Sequence, residues 1–423
     1  MAYQATQDGD DDAVRVSRPY AWIVFALSFG LLISDYMSRQ VLNAVFPLIK
    51  GEWMLSDAQL GMLSGVVALM VGLLTFPLSL LADRWGRVRS LALMAVVWSL
   101  ATLACGLAAN YQQMFVARFF VGVGEAAYGS VGIAVVLSVF PKHLRATLAG
   151  AFMAGGMFGS VLGMALGGTI AAHMGWRWAF AGMALFGLVL GLLYPLVVTE
   201  ARIAGGKRKA APPRLSLGSL FGSVSLRSAY IGSGLQLFVG GAFIVWMPSY
   251  MNRYYAMSTD RAGAAAALVV LAGGTGMVLC GMLSDRLCHA LPLRKFALAI
   301  AYSLGSCLLF SLAFALAPGT AQLCLICAGM FFAAGVTGPA GAMVANLTDR
   351  RIHGTAFATL TLANNLLGLA PGPLLTGVLA DRMGLDNALQ LVPLVSVLAA
   401  AVFWHGRRHY LPDAGACAAR AAA

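Results

Sequence analysis

Apolar runs of about 20 residues or more recur along the chain, separated by short polar stretches rich in Arg, Asp and Gly. They fall at residues 20–48, 58–82, 90–109, 111–139, 145–173, 177–198, 227–251, 262–286, 295–316, 319–346, 354–380 and 388–406. In hydrocarbon every backbone N–H and C=O must find a partner within the protein, and runs this long and continuous do so as helices rather than as barrel strands. The pattern therefore predicts an all-α membrane protein with twelve transmembrane helices. The longest polar interruption, 199–226, holds Gly205-Gly206-Lys207-Arg208-Lys209 and Pro212-Pro213 and reads as a flexible basic linker. Six runs precede it and six follow. The predicted organisation is a polar tail at 1–19, a six-helix bundle at 20–198, the linker at 199–226, a second bundle at 227–408 and a tail at 409–423.

The halves carry a weak internal repeat. Gly159, Gly163, Gly168, Met174 and Gly175 match Gly368, Gly372, Gly377, Met383 and Gly384, and Leu81-Ala82-Asp83-Arg84 is echoed by Leu283-Ser284-Asp285-Arg286. Repeats of this kind, with a midplane site at their interface, are a trait of secondary transporters. In the fifth run Gly155, Gly159, Gly163 and Gly167 form a small-residue stripe that admits a close helix neighbour. It reads either as static packing or as a surface on which the halves slide. Gly368, Pro371, Gly372 and Pro373 mark a bendable point in the eleventh run, because proline removes backbone hydrogen bonds.

Composition agrees. The chain is 60% hydrophobic and 10% charged, with mean hydropathy +0.81; a soluble domain carries about 25% charged residues. The net charge of +12 is explained by topology rather than by nucleic acid. One side of the predicted membrane collects the loop bases around Arg84–Arg89, Lys142, Lys207–Lys209, Arg286, Arg350 and Arg407; the other has only Lys50, Arg177, Arg253, Arg261 and Arg382. The positive-inside rule then places both termini and the linker in the cytoplasm, with the chain multi-pass in the plasma (inner) membrane. The N-terminus, with Asp8, Asp10, Asp11 and Asp12, is not a secretory signal. The seven cysteines form no framework, and Cys324-x-x-Cys327 sits in an apolar run without the basic neighbours that activate a thiol. His143, His173, His289, His353, His405 and His409 lie at run ends, in loops or in the tail, so no cofactor, metal site or intramembrane enzyme is expected. No Gly-x-x-x-x-Gly-Lys-Ser/Thr phosphate loop occurs.

Four charges break the apolar runs: Asp35, Arg39, Arg118 and Glu125. Each costs roughly 2.5–3.5 kcal/mol near the bilayer centre and by default marks an ion or substrate pathway. Asp35 and Arg39 are four apart on one helix face, and Arg118 and Glu125 are two turns apart on another. Burial and a neighbouring Arg act in opposite senses on a carboxyl's proton affinity, so a change of access can load or release a proton, and a substrate anion can compete with Glu125 for Arg118. The static alternative is a buried ion pair that fixes helix register. The second half has no such charges; its candidate lining residues are Gln236, Trp246, Tyr250, Asn364 and Asn365.

The loop Asp83-Arg84-Trp85-Gly86-Arg87-Val88-Arg89 places an acid at a helix C-terminus, where the dipole opposes it. Gly86 permits a tight turn. A partner for Asp83 from the second half would lock the basic side shut. This loop, repeated as Asp285-Arg286, resembles the signature loop of the major facilitator superfamily, with Ser79 in place of its usual first glycine. The resemblance spans the chain and implies the fold of two pseudo-symmetric six-helix bundles. Arg118-Phe-Phe-Val-Gly122-Val-Gly124-Glu125-Ala126-Ala127-Tyr128 resembles the corresponding segment of spinster-like transporters, and less closely that of anion:cation symporters of sugar acids and carboxylates. Both families usually show Asp-Arg-Gln in the first helix; here Ser38-Arg39-Gln40 stands there, with Asp35 one turn earlier as a substitute acid.

The resemblance implies proton coupling and substrate handling at Glu125 and Arg118. The residues themselves add Asp35 as a second proton-coupling acid and Arg39, Tyr128, Gln236, Trp246 and Asn364 as candidate substrate contacts. Gating is expected at the paired loops, at Asp83, Arg84, Gly86, Arg87, Asp285 and Arg286. The expected protein is a monomeric, proton-coupled transporter in the lipid bilayer, working by alternating access on a small-molecule or lipid substrate. A carboxylate symporter and a non-transporting receptor are the alternatives.

Overall fold

The computed structural model describes residues 16–141, 144–203, 218–288, 291–349 and 352–422. The acidic cluster Asp8–Asp12, the linker motif at 205–213, Lys142, His143, His289, Arg350 and Arg351 lie outside the described residues. Among the described residues twelve helices are long and apolar enough to span a membrane: α1 Arg18–Trp53, α2 Asp57–Trp85, α3 Arg87–Leu107, α4 Tyr111–Ser138, α5 Thr147–Met174 and α6 Trp176–Val197 in the first half, then α7 Val224–Tyr254, α8 Thr259–Cys288, α9 Arg294–Phe314, α10 Thr320–Asn346, α11 His353–Met383 and α12 Leu385–Gly415. The last helix continues to Ala422, through the predicted tail at 409–423. Its alanine-rich sequence favours helix, and Asp413 accepts hydrogen bonds from the Ser223 hydroxyl (2.8 Å) and the Ser225 N–H (2.8 Å), capping the start of α7.

The two bundles repeat each other's packing. α1 packs on α5 and α6, α3 on α4 and α6, and α2 on α4; α7 packs on α11 and α12, α9 on α10 and α12, and α8 on α10. The matched glycines explain why. Gly175 and Gly384 have φ of +95° and +87°, and each ends one helix and starts the next. A side chain would strain both turns. Gly168 packs against the Thr259 carbonyl at the start of α8, and Gly377 against the Asp57 carbonyl at the start of α2. These lie in the two most extensive contacts between the bundles, α5 with α8 and α2 with α11. The stripe Gly155, Gly159, Gly163 and Gly167 packs instead on α1 of its own bundle, against Phe29, Ile33, Met37 and Val41. It is static packing, not a sliding surface between halves.

Three spans are interrupted near mid-membrane. α4 breaks at Ala126-Ala127 and α10 at Val336. α11 contains a π-helical turn, Asn365–Leu369, just before Pro371. The wider turn accommodates a proline that cannot donate a backbone hydrogen bond, and it lies at the predicted bendable point.

Contact between the bundles is concentrated at the end that is poor in basic residues. There α2 begins with a capping box, in which the Gln59 N–H donates to Ser56 Oγ and the Ser56 N–H donates to Gln59 Oε1. Its next two donors, the Asp57 and Ala58 N–H groups, go across the interface to the Asp381 carboxylate at 2.7 and 2.9 Å. The buried Asp57 carboxylate accepts both Arg253 guanidinium nitrogens from α7, at 2.8 and 2.6 Å, and Lys50 from α1. Beneath this cluster Phe46 meets Trp246 at 5.5 Å between ring centroids. Backbone contact continues through Gly61 on Pro373 and Gly65 on Ala370 to Gly72 on Asn365. Toward the basic end, Gly150 and Gly281 on the interfacial helices face open space. The polar contacts between the bundles are gathered at the end poor in basic residues.

Removing one partner of a buried ion pair costs roughly 3–5 kcal/mol, and for Asp57 that loss falls on the closed end. Asp57→Ala is expected to add a longer component to the distance distribution between spin labels at Met54 and Met383. An unchanged distribution would show that the cluster does not hold this end shut.

Candidate functional site

Spans α1 and α4 bring three of the four intramembrane charges into one cluster. Arg39 Nε lies 3.2 Å from Asp35 Oδ1, one turn earlier on α1, and 2.8 Å from Glu125 Oε2 on α4. One guanidinium nitrogen is thus shared by two carboxylates. The Asp35 contact is aligned as a hydrogen bond. The Glu125 contact has ion-pair distance without that alignment, and both Glu125 oxygens lack a hydrogen-bond partner. The Glu125 and Asp35 side chains are 0% and 3% exposed, whereas Arg39 is 20% exposed. Arg39 is the most exposed of the three. Its guanidinium also lies 5.2 Å from the centroid of the Tyr36 ring, a cation–π contact that braces it from its own helix.

The Gly-x-Gly of α4 explains how Glu125 comes to stand there. A Cβ at Gly122 would lie 2.7 Å from Met70 Cβ on α2, and one at Gly124 would lie 2.6 Å from the Trp98 backbone nitrogen on α3. Only glycine lets α4 press between α2 and α3 at this level. Directly after Glu125 the helix breaks, and the Thr75 hydroxyl donates to the freed Ala126 carbonyl at 2.6 Å. Glu125 therefore ends a helical segment instead of sitting within one.

The expected pairing of Glu125 with Arg118 does not form. Arg118 is 1% exposed and donates to two backbone carbonyls, Leu63 on α2 (3.2 Å) and Ser38 on α1 (3.0 Å). It ties α4 to its neighbours, while Arg39 takes the role of charge partner. Seven-residue spacing placed Arg118 and Glu125 on one face but could not give the direction of a long side chain.

The other expected site residues are scattered. Tyr128 is buried within the first bundle, donates to the Ser28 carbonyl at 2.6 Å and meets Trp98 edge-on. Gln236 is buried in the second bundle and donates to Ser306 Oγ at 3.0 Å. Trp246 donates to the Pro373 carbonyl at 3.0 Å. No hydrogen bond joins these three to the acid–base cluster. Asn364 and Asn365 flank the start of the π turn of α11, each with a buried, unpartnered Oδ1. At the basic end Asp83 is exposed and pairs with Arg87 in its own loop at 3.1 Å, and the exposed Asp285 lies 3.8 Å from Lys295. Arg84 and Arg286 have no ion-pair partner among the described residues. Gly86 has φ +101° and turns the chain so that the Arg87 and Val88 N–H groups both donate to Glu200 at 2.9 Å.

Glu200, Asp57, Arg253 and Asp381 are functional candidates that sequence reasoning did not single out. The capping box Ser56-x-x-Gln59 marks the start of α2, but nothing local announces that Asp381, more than 300 residues away, completes it.

Comparison with known proteins follows the same lines. The family model for the Major Facilitator Superfamily matches residues 28–370. A sphingosine-1-phosphate transporter of Danio rerio is 28% identical, over 92% of this chain and 84% of its own length. A D-galactonate transporter of Escherichia coli is 24% identical, over 90% of this chain and 94% of its own. Among solved structures, a bacterial homologue of the human lysosomal transporter Spinster, inward-facing and unoccupied, superposes with a TM-score of 0.82 at 21% identity, over 94% of this chain and 99% of that one. Twelve spans in two repeated bundles, the paired Asp-Arg loops and the match over most of the length lead to one assignment: the chain belongs to the major facilitator superfamily of membrane transporters.

Proposed function

We propose that the protein is a proton-linked transporter of an amphiphile with an anionic head, and that Arg39 is the point at which proton and substrate meet. The sharing of Arg39 by Asp35 and Glu125 carries this reading. With both acids ionised, two carboxylates share the Arg39 Nε and the cluster is net negative, which disfavours an anion there. A proton on either acid removes one of the two negative charges that compete for Arg39 and so favours an anion beside it. Proton and anion then bind together. Arg39 is suited to this because its planar fork holds two acceptors at once and stays charged.

The ends of the molecule supply the access change. The basic end is cytoplasmic by the positive-inside rule, so the closed Asp57–Arg253–Asp381 end faces outward, as an inward-facing state requires. In the opposite state that cluster parts, and Asp83 and Asp285 leave Arg87 and Lys295 for partners across the interface. The similarity to a sphingosine-1-phosphate transporter supports an amphiphile, and the second bundle places no charge opposite Arg39. A small organic anion is the second reading, supported by the similarity to a D-galactonate transporter.

Proteoliposomes with an internal pH dye, challenged separately with lysophospholipids and small carboxylates, test both. Proton movement with the lipids alone is expected; movement with the carboxylates alone would favour the second reading. Glu125→Gln is expected to abolish proton movement while the protein still folds, and wild-type proton uptake in that variant would remove Glu125 from the coupling. Arg39→Lys keeps the charge but loses the fork, and flux should fall by about tenfold or more, a loss of about 1.4 kcal/mol. Wild-type flux in Arg39→Lys would mean that charge alone suffices.

A further inference from the structure

Apart from the acid–base cluster, a groove opens at the basic end between the last turn of α2 and the first turns of α3. Its mouth, about 310 Å³, is lined by Trp85, Arg89, Ser90 and Leu93. It continues along Leu78, Leu81, Met94 and Val97 into a cleft of about 120 Å³ walled by Val123 and Gly124 of α4. From Ser90 to Val97 the groove follows α3 for about 10 Å, at 1.5 Å per residue. Past Val97 a further groove of about 770 Å³, almost wholly apolar, continues between α3 and α4.

Polar chemistry is confined to the mouth. Arg89 is exposed and, like Arg84, has no ion-pair partner among the described residues, whereas Arg87 is engaged by Asp83. Ser90 is 5% exposed and its hydroxyl has no hydrogen-bond partner. Trp85, at the rim, is 59% exposed. An unneutralised arginine beside an unpartnered hydroxyl suits a phosphate, and Arg84 adds a second unneutralised charge nearby. The apolar cleft beneath gives nothing to a water-soluble anion but accepts an acyl chain. Tryptophan at such a rim sits at headgroup level, and basic pockets between helices on this side of a membrane bind anionic headgroups.

We propose that this groove binds one anionic phospholipid of the leaflet at the basic end. The phosphate rests on Arg89, with the buried Ser90 hydroxyl behind it, and an acyl chain lies along α3 toward Val97. The chain's inner portion then touches Gly124, the residue before Glu125, so the lipid would buttress the wall of α4 that carries the coupling acid. The proposal rests on the membrane fold and not on proton coupling. Its test is a binding measurement, so it can fail or succeed independently of the transport reading.

The full chain, purified in detergent, would be titrated with phosphatidylglycerol and phosphatidylcholine of equal chain length and read by native mass spectrometry. Wild-type protein is expected to prefer phosphatidylglycerol about fivefold, the equal of about 1 kcal/mol for one basic residue near an anionic surface. Arg89→Gln should lose that preference, and Arg89→Lys should keep most of it. Arg294→Gln, at the basic end of the other bundle, should leave it intact. Thermal unfolding in the same detergent checks that each variant is folded. The proposal is overturned by equal retention of both lipids in the wild type, by an intact preference in Arg89→Gln, or by an equal loss in Arg294→Gln. Displacement of the lipid by millimolar inorganic phosphate would also overturn it, assigning Arg89 to a soluble anion.

Discussion

A charge in hydrocarbon must be matched, and in this protein the match is an arginine between two acids. Asp35 and Glu125 could not both stay ionised without Arg39, and Arg39 would not be tolerated at that depth without them. The remaining architecture brings these groups together. Gly122 and Gly124 let α4 sink between α2 and α3, the break at Ala126-Ala127 ends the helix beside Glu125, and Arg118 fastens α4 to α1 and α2 through backbone carbonyls. All of this lies within the first bundle. Midway along α2 the second bundle makes contact through a neutral group, the buried Asn365 beside Gly72.

The ends of the molecule obey a different constraint. At the end poor in basic residues, the first free N–H groups of α2 and the Asp57 carboxylate are satisfied from the other bundle. A helix start left buried without partners would be costly, so this end has reason to stay closed until its partners can be replaced by water. At the basic end the equivalent acids, Asp83 and Asp285, are exposed and paired locally. This asymmetry distinguishes the observed state, and it is built from polar contacts, whereas the helix-on-helix packing within each bundle is repeated almost unchanged between the halves.

The spans were legible because hydrocarbon imposes a length on every apolar run, and the observed helices follow those runs with ends extended by a few residues. The repeat was legible because Gly175 and Gly384 must each adopt a left-handed turn and Gly168 and Gly377 must each admit a neighbouring carbonyl. The intramembrane charges announced themselves by their cost. Partner choice was hidden: Arg118 and Arg39 are both arginines one or two turns from an acid, and only three-dimensional packing decides that Arg39 reaches Glu125 while Arg118 turns to carbonyls. The Asp57–Arg253–Asp381 cluster was hidden for a related reason, since its members are far apart in sequence and each, read alone, is an ordinary loop charge. The stripe of α5 was ambiguous because a small-residue face fits any close helix, and α1 is the helix it fits.

The central claim is that proton and anion meet on one guanidinium. The most direct test is proton exchange on binding, in lightly buffered detergent solution with a pH dye, using a compound that the protein is shown to carry. Binding to wild-type protein should take up protons, and affinity should rise as pH falls, because a proton on Asp35 or Glu125 removes a negative charge that competes for Arg39. Binding that is independent of pH and exchanges no protons would contradict the account and leave the Asp35–Arg39–Glu125 cluster as a structural element alone.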